Sequence, residues 1–152
     1  MDYKEYQLSD SLGYLLGNAS RLMSCRLGAR FREQHYDVTF EQWTLLVQLW
    51  NEDGLTQSKL AALTRRDQPG VSRLVDNMIK RDLVIRESHP EDRRKNRIYL
   101  TAKGAQLQRK LVVEAMANNA DAVGGVSPQE LAVFRSVLDR IIDNMQQPKE
   151  EV

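Results

Sequence analysis

The chain of 152 residues lacks the features that mark secreted, disulfide-stabilised and membrane-spanning proteins. It has a single cysteine, Cys25, so no disulfide can form within one chain, which suits a reducing cytoplasm. No run of apolar residues approaches the roughly 18 that a membrane-spanning helix needs. Residues 1–5 carry mixed charge and contain no apolar core, so we expect no secretory signal. From these absences we expect a cytoplasmic protein with no membrane partner.

The sequence also lacks the patterns that indicate catalysis or metal binding. It contains no nucleophile–base set, no glycine-rich phosphate loop and no metal motif. The two histidines, His35 and His89, are far apart, and neither stands among other ligands at the spacing of a zinc site. We therefore expect no enzyme activity, no cofactor and no bound metal.

The positive charge of the chain is concentrated in one segment. The whole chain is almost neutral, with a net charge of +1. Residues 65–103 nevertheless contain 11 Lys and Arg against 6 Asp and Glu, whereas the remainder contains 11 against 15. Such a local excess is typical of a surface that binds nucleic acid, although a solvated basic face has the same composition. The charge pattern alone leaves both interpretations open.

Six helices are predicted from capping side chains that precede apolar residues at steps of three and four. The predicted capping residues are Ser9, Thr39, Thr56, Asp67, Thr101 and Ser127. Gln42 and Glu130 each stand three residues after a cap, which indicates capping boxes. The helices that begin at Thr56 and Asp67 are short and separated by a short turn, which is the pattern of a helix-turn-helix.

The hydrophobic period changes after this helix-turn-helix. Residues 83–87 and 97–100 alternate as β-strands do, and the polar loop between them has a basic tip at 92–95. Two antiparallel strands around a charged loop form a wing. Residues 55–104 are therefore predicted to be a winged helix-turn-helix.

Long apolar stripes precede and follow this unit. The stripe after Ser9 runs to about Gln34, which is too far for a helix packed within one small domain. We favour a helix whose far end packs against a second subunit over an ordinary core helix. The predicted fold is a mainly α single domain, 1–152, with a small β wing. Within it, 1–36 and 105–147 are dimerisation helices and 37–104 is the winged helix-turn-helix DNA-binding lobe.

The second helix of the helix-turn-helix and the wing tip supply the candidate DNA contacts. The amino end of a recognition helix usually enters the major groove, where Arg pairs with guanine and Gln with adenine. In the wing, an acidic residue can hold the loop in shape while an arginine enters the minor groove. The alternative is that these are ordinary solvated residues. The candidates are Gln68, Pro69, Gly70, Ser72, Arg73, Asn77, Asp92, Arg93, Arg94 and Lys95.

These segments together resemble the MarR family of transcriptional regulators. The resemblance is carried by Leu55-Thr56-Gln57, Leu60-Ala61, the run DQPGVSRLVD at 67–76, Leu83-Val84, Pro90-Glu91-Asp92-Arg93-Arg94 and Leu100-Thr101-Ala102-Lys103-Gly104. It implies a homodimer that binds pseudo-palindromic operators, usually as a repressor, and that releases them when a ligand or oxidant arrives. It also implies that Asp92 and Arg94 form the Asp-x-Arg signature of the wing.

The sequence departs from the peroxide-sensing members of that family. Their reactive cysteine lies near the start of the first helix, where this chain has Leu15. Cys25 lies further along, and its neighbours Leu22, Met23 and Leu27 indicate a packed thiol. We therefore do not expect redox sensing.

The resemblance leaves a small-molecule pocket between the dimer helices and the DNA-binding lobe as the regulatory site. Residues at these spacings are also what a hydrophobic core contains, and that alternative stays open. A half-buried arginine in such a pocket would favour an anionic aromatic ligand. The candidate ligand-binding residues are Leu12, Leu16, Arg21, Trp43, Leu46 and Val47.

The functional hypothesis is a dimeric, sequence-specific DNA-binding regulator. It is expected to be a repressor that a small-molecule ligand releases from its operator. The alternative is a winged-helix module that binds proteins and does not bind DNA specifically.

Overall fold

A computed structural model of the protein describes residues 6–88 and 96–146. These residues form six α-helices and one antiparallel sheet of three strands. In chain order the elements are α1 (Leu12–Glu33), α2 (Phe40–Asn51), β1 (Leu55–Thr56), α3 (Gln57–Thr64), α4 (Gln68–Lys80), β2 (Val84–Ser88), β3 (Asn96–Leu100), α5 (Ala102–Ala122) and α6 (Pro128–Gln146). This order confirms the predicted fold, which is mainly helical with a small β wing after the helix-turn-helix of α3 and α4.

Capping bonds hold the starts of five helices, as the sequence predicts. In each, a side-chain oxygen accepts a hydrogen bond from the backbone amide three residues later, at 3.0–3.2 Å. The capping residues are Thr39, Thr56, Asp67, Thr101 and Ser127. The Gln42 side chain completes a capping box by accepting from the Thr39 amide at 3.1 Å.

The second predicted box, at the start of α6, is also confirmed. The hydroxyl and the amide of Ser127 donate to the Glu130 carboxylate at 2.7 and 2.8 Å. These bonds favour the charged carboxylate and hold the pKa of Glu130 below its ordinary value, the hydroxyl bond contributing most. Because this pKa is lowered, the capping box stabilises α6 fully at pH values above the ordinary pKa of glutamate. That stabilisation is lost as the pH falls through the lowered pKa.

The predicted cap at Ser9 is wrong. Leu8–Asp10 forms a separate 3₁₀ turn, and α1 begins only at Leu12. Ser9 lies inside that turn, and its hydroxyl donates to the Asp10 carboxylate at 3.4 Å. Ser11 occupies the N-cap position, and its side chain makes no capping bond.

The core lies where α2, α3 and α4 pack against one another and against the sheet. Only the carboxyl-terminal part of α1 reaches it, through Leu27 and Phe31. The side chains that are almost completely buried are Phe31, Leu45, Leu46, Leu49, Leu60, Val71, Val75, Met78, Leu83, Val84, Ile98 and Leu111. This core fixes the orientation of α4 and therefore of the residues on its opposite face.

The sheet contains a strand that the sequence does not reveal. β1 pairs with β3 through Leu55 and Ile98, so that β3 is central in the order β1-β3-β2. A strand of two residues has no alternation that a periodicity argument could detect. β2 spans Val84–Ser88 and is shifted by one residue from the predicted run, whereas β3 spans Asn96–Leu100 and begins one residue before the predicted run.

Three helices end on a non-glycine residue in the left-handed region. His35, Arg65 and Asp82 have φ of 57°, 52° and 57° at the ends of α1, α3 and α4. In each case the next amide bonds a carbonyl five residues back, as in a Schellman motif, at 2.8, 3.0 and 3.0 Å. Arg65, in the turn between α3 and α4, is therefore sterically strained, because its side chain is unfavourable in this conformation.

Arg65→Gly should remove this cost at the exposed turn and stabilise the protein. We expect a gain of about 1 kcal/mol, which corresponds to a rise in Tm of roughly 2–4 °C for a chain of this size. Ala62→Gly, within α3, is the matched control and should lower the Tm, because glycine is unfavourable inside a helix. A thermal melt in which both variants lower the Tm equally would contradict the prediction.

By its internal contacts the chain divides into two compact units, Met1–Asn118 and Asn119–Val152. In the first unit, the Asn118 side chain donates to the Met23 carbonyl at 3.2 Å, and Arg30 pairs with Glu114 at 3.3 Å. These contacts join α1 to α5. Among the helices of residues 6–88 and 96–146, none combines the length and apolar character needed to cross a bilayer.

Candidate nucleic-acid interface

The amino end of α4 is held in place from two sides. Asp67 accepts from the Gly70 amide at 3.2 Å, and Pro69 stands in the first turn, where the missing N–H leaves no bond broken. Val71 and Val75 anchor the opposite face in the core. The first turn is therefore rigid and faces solvent.

The candidate residues of α4 lie on this solvent-facing side. Gln68, Pro69, Arg73 and Asn77 are exposed, whereas Gly70 and Ser72 are half-buried. The arrangement offers amide, hydroxyl and guanidinium groups to a groove or a phosphate. The wing-tip candidates lie outside the described residues; they are Asp92, Arg93, Arg94 and Lys95.

Gly70 has a structural reason to be glycine. A Cβ built at this position would lie 2.7 Å from Oδ1 of Asp67, the capping side chain of α4. A larger residue would displace that cap, so Gly70 preserves the helix start in addition to leaving room for close approach of a ligand backbone.

An ion pair joins the recognition helix to the wing. Arg86 of β2 donates to the Asp76 carboxylate of α4 at 2.7 Å, and both side chains are partly exposed. The sequence alone does not reveal this pair, because the register of β2 decides which of its side chains face α4. The pair therefore connects the strand that leads into the wing with the helix beside it.

The six ligand candidates differ in their burial. Leu46 is completely buried in the core, which is the alternative that the sequence left open for this set. Trp43 is half-buried, with its ring centroid 5.8 Å from that of Phe31. Leu12 and Arg21 are exposed on α1, and the remaining two, Leu16 and Val47, are half-buried.

The expectation of a packed thiol at Cys25 is wrong. Cys25 is exposed, because only Leu27 among the three apolar neighbours is buried while Leu22 and Met23 face outward. The spacing of these residues predicts one apolar stripe along α1, but the core covers only the carboxyl-terminal end of that helix.

Known proteins share this arrangement. The sequence model of the MarR family matches residues 36–95. The regulator MgrA of Staphylococcus aureus is 27% identical over 150 residues, which cover 97% of this chain and 98% of that protein. The repressor NicR of Pseudomonas putida is 27% identical over 146 residues, covering 95% and 90%. The structure of BpsR from Bordetella bronchiseptica superposes with a TM-score of 0.82 at 24% identity, covering 91% of this chain and 97% of that one.

The capped, exposed recognition helix beside a wing defines a winged-helix DNA-binding regulator of transcription. In sequence and in fold the chain is similar to regulators of the MarR family. Proteins of this family regulate transcription and are not enzymes.

Proposed function

We propose that the protein is a dimeric, sequence-specific repressor that leaves a pseudo-palindromic operator when a small ligand binds. The observation that carries the proposal is the amino end of α4, which is capped by Asp67 and exposes Gln68 and Arg73 while its other face is anchored in the core. The DNA of a bacterial operator lies in the cytoplasm, where we place the protein.

Each candidate contact has a role in this proposal. Gln68, Ser72 and Arg73 read base edges, with Arg73 pairing to guanine and Gln68 to adenine. The other members of the α4 set, Pro69, Gly70 and Asn77, line the approach to the groove. In the wing, Asp92 holds the loop in shape and Arg94 enters the minor groove, where narrow A·T tracts attract cations. Arg93 and Lys95 meet phosphates.

Dimerisation is proposed from apolar faces that the chain leaves uncovered. On α1, Leu12 and Leu22 are each 53% exposed, and on α6, Phe134 is 50% and Met145 79% exposed. Helix α6 has no buried residue among those described. Solvated apolar stripes of this length are unfavourable, and we infer that a second copy of the chain covers them. In this proposal 1–36 and 105–147 form the dimer region of a single domain, and 37–104 forms the DNA-binding lobe.

Repression and ligand release are proposed by analogy with relatives. NicR is named a transcriptional repressor, and the DNA binding of BpsR is regulated by 6-hydroxynicotinic acid. Two recognition helices must sit roughly 34–36 Å apart to enter successive major grooves. A ligand that rotates the two lobes by a small angle would break this spacing and release the operator. Of the predicted pocket set only Leu46 is buried in the core, so a ligand could reach the other five members without opening it.

DNA binding is tested by titrating a labelled duplex at several salt concentrations. The duplex is one that the protein itself selects from a random library. The logarithm of affinity should fall with the logarithm of salt concentration, with a slope near −0.9 per phosphate contact. Weak, salt-insensitive binding to every duplex would contradict the proposal and favour a winged helix that binds proteins.

Arg73→Ala should weaken binding to the selected duplex by about 1–3 kcal/mol, or roughly 5- to 150-fold, and should relax the base preference at one position of each half-site. Arg94→Ala should weaken binding and reduce the salt slope by about one. Arg109→Ala on α5 removes the same charge from an exposed position away from α4 and is the control. If all three variants lose affinity equally, the loss reflects net charge and Arg73 does not read a base.

A further inference from the structure

Two polar contacts join α1 to α5 at the edge of the hydrophobic core. The Asn118 side chain of α5 donates to the Met23 carbonyl at 3.2 Å, and Arg30 pairs with the Glu114 carboxylate at 3.3 Å. These four residues are called the α1–α5 brace here. Leu27 is the first buried residue of α1, and Asn118 is the last of α5. The brace therefore lies where both helices leave the core, within the proposed dimer region.

Asn118 is a polar side chain in a buried position, only 4% exposed. Among the polar and charged side chains of residues 6–88 and 96–146, only Gln42 is also buried, and it completes the capping box of α2. A buried amide is unfavourable without a hydrogen-bond partner, whereas an apolar side chain of the same size has no such requirement. Asn118 therefore makes the energy of the α1–α5 contact depend on where the Met23 carbonyl lies.

This dependence fixes the register of the two helices. The Met23 carbonyl can accept from Asn118 in addition to its bond within α1, because a carbonyl oxygen has two lone pairs. Each residue of a helix rises by about 1.5 Å, and the bond to Asn118 already lies at the long end of the usual range of about 2.7–3.2 Å. A slide of α1 by one such rise takes the carbonyl out of line with the amide N–H. A purely apolar contact would tolerate the same slide.

The Arg30–Glu114 pair restrains the helices at a second point. Arg30 lies two turns after Met23, about 10 Å further along α1. The two charged side chains are mostly buried, with 20% and 15% of their surface exposed. Salt screens such a pair less than an exposed one, and loss of one partner leaves a poorly hydrated charge. Two contacts that are separated along the helix oppose pivoting as well as sliding.

Movement at the brace would displace the proposed DNA-binding lobe. Helix α5 follows β3 directly, and α1 leads to α2, so both helices connect the brace to the lobe. The stretch of α5 from Asn118 back to Ala102 is about 24 Å long. A pivot of about 5° at Asn118 displaces its other end by about 2 Å, so two copies change the separation of their lobes by up to about 4 Å. The rise of one base pair is of the same size, about 3.4 Å.

We propose that the α1–α5 brace sets the half-site spacing of the operator that the protein accepts, with Asn118 as the main positioning residue. Asn118 is buried and acts by holding the lobe in one position relative to α1. The proposal rests on the proposed dimeric repressor and adds a determinant of operator choice outside the recognition helix and the wing. In this proposal α4 reads the bases of each half-site, and the α1–α5 register decides how far apart the half-sites lie.

The spacing is tested with duplexes that carry two copies of the selected half-site at the selected separation, or at one base pair more or less. The wild-type protein should lose affinity at least about tenfold when the separation changes by one base pair. Asn118→Leu removes the hydrogen bond and keeps the volume, so the lobes can adjust and this loss should fall below about threefold. Affinity for a duplex with a single half-site should be unchanged.

Asn119→Leu is the matched control, because it makes the same substitution on the next residue of α5, which is exposed. This variant should keep the wild-type spacing profile. Thermal melts check that both variants are folded, and Asn118→Leu should melt no lower than the wild type, since leucine suits a buried site. A wild-type profile in a folded Asn118→Leu protein, or equal flattening of the profile in both variants, would overturn the proposal.

Glu114→Gln tests the brace independently of Asn118. It removes the charge of the pair while keeping the shape of the side chain, and it should reduce the loss for one base pair to about fivefold. Glu33→Gln removes the same charge from an exposed residue of α1 and should leave the profile unchanged. If Asn118→Leu does not fold, a wild-type profile in Glu114→Gln overturns the proposal. If Asn118→Leu folds and flattens the profile, the same result overturns the role of the ion pair alone.

The brace is also measured without DNA, as the distance between two spin labels in the dimer. The labels are attached through Ser58→Cys, at an exposed position of α3, in a Cys25→Ser background. The wild-type brace should give one narrow distance distribution, and Asn118→Leu a distribution at least about twice as wide. Equal widths would overturn the brace while a selected duplex still supports the proposed function. Absence of any duplex selection would overturn the proposed function, and the difference in width would still test the brace.

Discussion

A variant in which Leu15 and Leu22 are both replaced by glutamate is expected to be monomeric and to lose DNA affinity by about a hundredfold or more. These side chains are 51% and 53% exposed on α1, so the substitutions remove no core contact within the chain. In a dimer, binding of one lobe raises the effective concentration of the second at its half-site, and a monomer loses that gain entirely. Light scattering and duplex titration measure the two effects.

The control for this variant is Leu63→Glu, which places the same charge on a residue of α3 that is 43% exposed. Because α3 lies in the proposed DNA-binding lobe and outside the proposed dimer region, this variant should keep the dimeric state that we propose. A wild-type protein that is monomeric at micromolar concentration would contradict the dimer directly. So would a Leu15→Glu, Leu22→Glu protein that stays dimeric.

The sequence predicted those parts of the fold whose signals are local. The caps at Thr39, Thr56 and Asp67 are confirmed because each bond spans only three residues, and the residue types that can make it are few. The helix-turn-helix and the wing follow from these caps together with the change of hydrophobic period. Whether a segment forms a helix or a strand could therefore be predicted along most of the chain.

Contacts between segments that are distant in the chain could not be predicted from the sequence. Arg81 reaches Gln42 across 39 residues and Asp37 across 44, and nothing in the spacing of these residues indicates that they meet. The Asp76–Arg86 pair needs the register of β2, which a single strand does not reveal. The two clefts that Asp37 and Arg81 line depend on such contacts, and none of the predicted pocket residues lines either of them.

Periodicity also failed to distinguish a core from the proposed dimer interface. The α1 stripe reads as one apolar face, yet Leu27 and Phe31 are buried while Leu12 and Leu22 are half exposed. Both kinds of face require the same apolar spacing, because each excludes water on one side of a helix. The two kinds of face differ only in the surface that covers them, and that surface is known only once the chain is folded and assembled.

Gly104→Ala is expected to destabilise the protein by about 3 kcal/mol, lowering the Tm by roughly 6–12 °C. Gly104 is buried near the start of α5, and a Cβ there would overlap the Leu83 carbonyl oxygen and lie 3.3 Å from Cδ2 of Leu100. The atom that the Cβ would overlap belongs to the backbone and cannot move freely, because the Leu83 carbonyl accepts a hydrogen bond from the Thr101 amide at 3.1 Å. On the other side, the Gly104 carbonyl accepts from the Trp50 indole at 3.1 Å.

The matched control is Gly17→Ala, in the interior of α1, where an added Cβ meets nothing within 4 Å. It should stabilise the protein by about 0.5–1 kcal/mol, because alanine loses less conformational freedom than glycine in a helix. The two substitutions are chemically identical, so opposite shifts in a thermal melt isolate the close approach of α5 to Leu83. A Gly104→Ala protein with an unchanged Tm would mean that α5 can move away from Leu83 at little cost. That freedom would also carry Lys103, the neighbour of Gly104 on the same turn of α5, away from the Arg81 carbonyl, to which its ammonium donates at 2.7 Å.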